Sequence, residues 1–197
     1  MKAGDVEGLR AALTADPSLV GGQPRTLLHV LTDWPGGLPR RLETFAVLIE
    51  FGADVDARFN GDGETPLMWA ASSDDVELID ALLDAGASID ARGAVIGGGT
   101  ALDDAWAFGQ WAAARRLVER GAVPTLLAAA ALGLPLTAPG NVTEALWAAC
   151  HGGQFEAARE LVARGADPSW VGWDDLTPPG AARRSGHVEL AAWVETA

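Results

Sequence analysis

The feature that most restricts the fold is a dipeptide that keeps returning: Gly52-Ala53, Gly86-Ala87, Gly121-Ala122 and Gly165-Ala166, at spacings of 34, 35 and 44 residues. A period near 34 belongs to a chain of repeated supersecondary units, each of which buries its apolar face only against its neighbours. Upstream of each pair runs an apolar stripe: Val47, Leu48 and Ile49; Leu82 and Leu83; Leu117 and Val118; Leu161 and Val162. Each stripe reads as one face of a helix, ending where Gly takes the left-handed conformation of a cap.

A second, shorter helix precedes each of these. Twenty-one residues before three of the glycines begin "TPLMWAA", "TALDDAW" and "EALWAAC". Leu67, Leu102 and Leu146 share one slot there, and Ala70, Ala105 and Ala149 another. Thr65 and Thr100 suit the N-cap, Pro66 suits the first turn, and small alanines let a neighbouring helix approach closely. Gly109, Gly153 and Gly186 occupy one turn slot between the two helices, held by Asp74 in the repeat that begins at Gly61. Asp also tolerates a left-handed turn.

These residues resemble the ankyrin repeat: T-P-L-H opening a first helix, two alanines, a G-H turn, then paired leucines and G-A-D before the next hairpin. Gly61 to Arg92, "GDGETPLMWAASSDDVELIDALLDAGASIDAR", matches almost slot for slot, and "HGGQFEAARELVARGADP" and "TPPGAARRSGHVELAAW" match well. The resemblance covers nearly the whole chain. It implies an all-α solenoid of stacked antiparallel helix pairs with short hairpin loops, residues 1–197 forming a single domain. The matching residues maintain a stack and name no ligand.

Departures from the pattern divide the chain further. Thr26 opens a repeat through "TLLH", yet Gly52 lies 26 residues on, and the excess falls in "DWPGGLPRR", a lengthened turn. After Gly121 the stretch "TLLAAAALG" reads as a first helix, but "LPLTAPGN" stands where a second belongs. The repeats are therefore assigned to 1–20 (a half repeat), 21–60, 61–92, 93–124, 125–140 (abbreviated), 141–172 and 173–197. A half repeat at the front leaves Val6, Leu9 and Leu13 without a covering first helix, which predicts self-association through that end or a frayed helix.

The charge balance narrows the partners. A net charge of −13, with Lys2 the only lysine, argues against nucleic acid and against anionic membranes, because both need clustered cations. Arg115-Arg116 and Arg183-Arg184 read as solvated helix faces. No apolar run reaches membrane-spanning length, no leader-like segment opens the chain, and Cys150 is the only cysteine. A cytoplasmic protein without disulfides is expected. No P-loop, dinucleotide fingerprint, nucleophile elbow or metal-ligand spacing is present, so no cofactor and no metal is implied.

In an ankyrin stack the hairpin tips and the exposed side of the first helices line a concave groove that holds partners. Carried onto this sequence, the groove slots hold Asp62 and Glu64, Ser72 and Ser73, and Phe108. Later they hold His151, then Trp173, Asp174, Asp175 and Arg184. Trp106 and Trp147 add aromatic surface; Trp147 stands in the family's His slot. Asp103 takes that same slot one repeat earlier, where it can bond hairpin backbone. Asp104 falls where Trp69 and Ala148 stand in other repeats, a position turned toward packed neighbours. A carboxylate there must find donors, which lowers its pKa, or remain protonated, which raises it.

Two functions follow. The first is a binding module whose acidic, Trp-bearing groove docks a protein with a basic surface. The second is a small-molecule binder or enzyme using Asp104, His151 and Asp175 in a Trp-lined central pocket. Cys150 takes the small-residue slot of an alanine pair and is expected to be buried, not nucleophilic.

Overall fold

The computed structural model describes residues 4–22, 25–60 and 63–197. Among these the chain is all-α, with no strand. It divides into two compact units, Met1–Ala122 and Val123–Ala197.

In the first unit α1 (Val6–Ala15), α3 (Arg41–Glu50), α5 (Val76–Asp84) and α7 (Trp111–Glu119) pack side by side in one layer. The shorter helices α2 (Leu27–Thr32), α4 (Pro66–Ser72) and α6 (Ala101–Ala107) form the other, each lying against its successor in sequence. Leu48, Leu82 and Leu117 of the long helices are fully buried, as are Ala70 and Ala105 of the short ones. Alanine at those slots lets α4 and α6 lie close together.

The Gly-Ala pairs do what the pattern predicts. Gly86 sits at φ +96°, and the Ala87 N–H bonds the Leu82 carbonyl at 3.0 Å, satisfying an orphan acceptor of the last turn. A Cβ on Gly86 would meet nothing within 4 Å, so the need for glycine there is conformational and not steric. In the turn slot Asp74 adopts φ +54°, and its carboxylate accepts the Ala113 N–H at 2.7 Å, tying one repeat to the next. Arg116 is likewise more than a solvated face: it reaches Asp80 of the preceding long helix at 2.8 Å.

At the front, Val6 and Leu13 are buried, because α1 packs on α3 and on the 3-10 turn Pro17–Gly21. Only Leu9 of the three apolar positions stays partly open, in a cleft it lines with Leu19 and Leu27. The expectation of an uncovered stripe is corrected on that point.

In the second unit α8 (Leu126–Leu132) ends at Gly133 and is followed by non-helical chain up to Asn141. It packs on α9 (Val142–His151), which then pairs with α10 (Phe155–Ala163) and lies beside α11 (Pro178–Arg184); α12 (Val188–Val194) packs on α11. The Asn141 side chain accepts from the Thr143 and Glu144 N–H groups, so α9 starts before "EALWAAC". Gly152 marks the close approach of α8: a Cβ there would lie 1.9 Å from the Ala131 carbonyl oxygen.

Candidate functional site

Three successive repeats of the first unit build one site around Glu64. His29 on α2 is fully buried, and its Nε2 lies 3.1 Å from the Glu64 carbonyl oxygen. A carbonyl only accepts, so Nε2 carries the proton and Nδ1 accepts from the Thr26 hydroxyl at 2.9 Å. His29 thus closes the cap of α2 and fixes the backbone that enters α4. The Glu64 side chain is only 7 % exposed. It accepts the Trp69 indole N–H at 2.8 Å and the Val95 N–H at 3.1 Å. Trp69 is held edge-on against His29, with ring centroids 5.1 Å apart, and against Phe59 at 5.4 Å.

The adjacent aspartates of α6 have different jobs. Asp103 accepts the Thr100 N–H at 2.9 Å and the Trp106 indole N–H at 3.3 Å, completing a capping box. Asp104, at 0 % exposure, accepts the Ile96 N–H at 3.3 Å through Oδ1. Its Oδ2 is buried with no hydrogen-bond partner among the described residues, and the Glu64 carboxyl group, held by the Val95 N–H that adjoins the Ile96 N–H, acts on Asp104 from beside it. Two carboxyl groups side by side in a buried site do not both ionise. Burial first, and the Glu64 charge second, push the pKa of Asp104 up to about 8, against the Ile96 hydrogen bond that lowers it. Of the two behaviours open to Asp104 from sequence, the raised pKa is the one found.

Glu64 lies in the wall of a cleft of about 180 Å³. Three side chains on its rim are large, apolar and open to solvent: Trp34 at 74 %, Val95 at 56 % and Phe108 at 48 % exposure. Trp69 forms another wall; Ser72, Ser73 and Asp33 complete the lining. The Arg25 guanidinium pairs with Asp33 at 2.7 Å and stands 5.8 Å from the Trp69 ring centroid. A planar cation is therefore already compatible with this wall.

The second unit holds an aromatic cluster of its own. Trp147 and Trp173 meet edge-to-face at 5.1 Å, as do Trp170 and Trp173 at 5.7 Å. Arg184 lies over the Trp147 ring at 5.5 Å and pairs with Asp174. Trp147 donates to the Leu176 carbonyl, and His151 Nδ1 lies 2.9 Å from the Ser185 hydroxyl. Asp174 and Asp175 are exposed and both adopt φ +56°. Burial pushes the Cys150 thiol up to about 12, so it is no nucleophile at neutral pH.

The family model for ankyrin repeats (3 copies) matches residues 9–93 and 40–128, together more than half of the 197 residues. The chain belongs to the ankyrin repeat family. No curated protein matches it. Ankyrin repeats generally mediate protein–protein interaction, and the exposed residues of this ankyrin chain are where such contacts can form.

Of the residues singled out from sequence, Glu64, Ser72, Ser73 and Phe108 come together at one cleft. Asp103, Asp104, Trp106, Trp147 and His151 are buried and stand behind the surface. Asp62 lies outside the described residues. Trp173, Asp174, Asp175 and Arg184 are exposed, in the second unit. Sequence reasoning missed Trp34 and Val95, because both sit in irregular hairpin or turn chain for which the ankyrin pattern has no slot. Among the described residues no helix is long and apolar enough to cross a membrane, and no His, Cys, Asp or Glu cluster has metal-holding geometry.

Proposed function

We propose that this ankyrin protein is a binding module that docks a protein partner in the cleft of its first unit, the partner presenting a Lys or Arg side chain flanked by apolar ones. The observation that carries the reading is the gathering of exposed Trp34, Val95 and Phe108 around the buried Glu64 carboxyl. Large apolar side chains rimming a polar anchor are the composition of a binding hot spot. The charge of −13 draws a basic surface in from a distance, so association slows as salt rises.

A catalytic reading on Asp104, His151 and Asp175 has less behind it. Asp104 has the raised pKa of a general acid, but it is fully buried behind Glu64 and is not among the residues that line the cleft, so it does not touch what enters there.

A photo-crosslinking residue at Phe108 tests the docking reading in the cells that make the protein, with the same residue at exposed Arg115 on the opposite helix layer as reference. The expected result is a defined adduct from position 108 that is lost with Trp34→Ala and absent from position 115. Equal labelling from both positions would sink the groove assignment.

A further inference from the structure

The molecule offers several candidates: the cleft beside Leu9, Leu19 and Leu27, the Trp147–Trp173 cluster with Arg184 laid over it, the His151–Ser185 contact, and the carboxyl pair behind the Trp69 wall. The carboxyl pair alone among these links a cavity to a chemical event. Glu64 forms part of the cleft wall and accepts the Val95 N–H at 3.1 Å; Asp104, fully buried behind it, accepts the next N–H, that of Ile96, at 3.3 Å and leaves Oδ2 without a partner among the described residues. Whatever touches Glu64 acts on the proton the two hold.

We propose that docking at this cleft is a proton exchange: a guanidinium, amidinium or ammonium group entering beside Glu64 ionises the Glu64–Asp104 pair, and the proton the pair shared leaves to solvent. The inference rests on the docking reading above and names its regulation. No covalent bond changes. The entering cation shifts the pair toward its ionised form, so a fraction of a proton departs per site and the added positive charge is offset in part.

The surroundings favour that exchange. The free pair holds a single negative charge, since a second would sit beside the first in a buried site. A cation against Glu64 cancels the charge that opposes ionisation of Asp104, and the Ile96 and Val95 N–H groups are already aimed at the two carboxyl groups. Among the described residues the charges nearby include Arg58, whose guanidinium donates to the Gly63 carbonyl at 2.8 Å and to the Arg92 carbonyl. Asp103, next in the helix, opposes ionisation. His29 of α2 directs Nε2–H at the Glu64 carbonyl. Asp33 is paired with Arg25 at the rim. Helix α4 carries no titratable side chain, and α7 carries Arg115, Arg116 and Glu119, of which Arg116 is tied to Asp80 and Glu119 and Arg115 is exposed. None of the charges on α7 contributes to the shift at Asp104.

The size of the effect follows from linkage. Starting from about 8, a bound cation that lowers the pKa by about one unit strengthens its own binding about eightfold between pH 6 and pH 9, and releases about half a proton per site at pH 7.5. Benzamidinium is the probe, its ring suited to the Trp34, Trp69 and Phe108 walls and its amidinium to a carboxylate. Calorimetric titration of the whole protein in buffers of different ionisation enthalpy, at pH 6, 7.5 and 9, reads affinity and protons released together. The expected result is binding that strengthens with pH, proton release near half, and loss of that release in Asp104→Asn. Carbon-13 NMR of the wild-type carboxyl groups is the second measurement, independent of whether the variant folds: the pair's upper titration should move down about one unit with the probe bound. Binding with neither proton release nor pH dependence, or an unmoved titration, overturns the exchange and leaves the docking reading intact. No binding at pH 9, with no movement of the Trp69 indole N–H signal, overturns both.

Discussion

Replacing Asp104 by Asn isolates what the buried pair costs the fold. The amide is nearly isosteric; its oxygen can accept from the Ile96 N–H as Asp104 does at 3.3 Å, and its N–H₂ is a donor that carries no charge beside Glu64. In the wild type the folded state keeps the Asp104 proton up to about pH 8, whereas the unfolded chain releases it near pH 4. Because the folded pKa is the higher one, the contribution to stability is fully present below pH 4 and is lost as pH rises to 8. Between pH 5 and pH 8 each unit is worth 1.36 kcal/mol, so the wild type loses up to about 4 kcal/mol that the Asp104→Asn variant keeps. Relaxation of the Gly93–Gly99 hairpin toward water reduces that ceiling, and a relative gain of about 2–4 kcal/mol for the variant at pH 9 over pH 5 is expected. Urea unfolding followed by circular dichroism at the two pH values measures it. Surface carboxylates such as Glu43 and Glu50, which their arginine partners hold below the ordinary range, titrate alike in both proteins and cancel. A variant whose stability relative to wild type is unchanged between the two pH values, or falls at pH 9, would refute the buried, proton-holding pair.

Leu82→Ala empties a fully buried site in the α5 stripe and should cost about 2–5 kcal/mol by urea unfolding. Gly86→Ala has open space but a φ of +96°, so its cost is backbone strain alone, about 1 kcal/mol. Gly152→Ala should cost at least twice as much despite an ordinary φ of −81°, because its Cβ would drive α8 from α9; thermal unfolding of the two variants side by side settles the order. Cys150, fully buried and with its thiol pushed up to about 12, should resist iodoacetamide at pH 8 until denaturant is added, as mass spectrometry would show.

The repeat is legible in the order of residues alone. A left-handed glycine after an apolar stripe, a threonine before a short alanine-rich helix, and a tight turn between them are local demands. Each is met within a few residues, as at Thr65, Asp74 and Gly86, so periodicity exposes them. Asp104 also stands out as anomalous at that level, because a carboxylate in a packing slot conflicts with its neighbours wherever they lie. How that conflict resolves is a tertiary matter. Glu64 and Asp104 lie 40 residues apart, and Trp34 and Phe108 further still. Their meeting depends on the stacking of α2, α4 and α6 and on the course of two irregular hairpins. Whether a buried carboxyl loses or keeps its proton is set by the donors and charges that arrive from elsewhere in the chain. At Asp104 they are one N–H and another carboxyl group, and that arrangement exists only in the assembled stack.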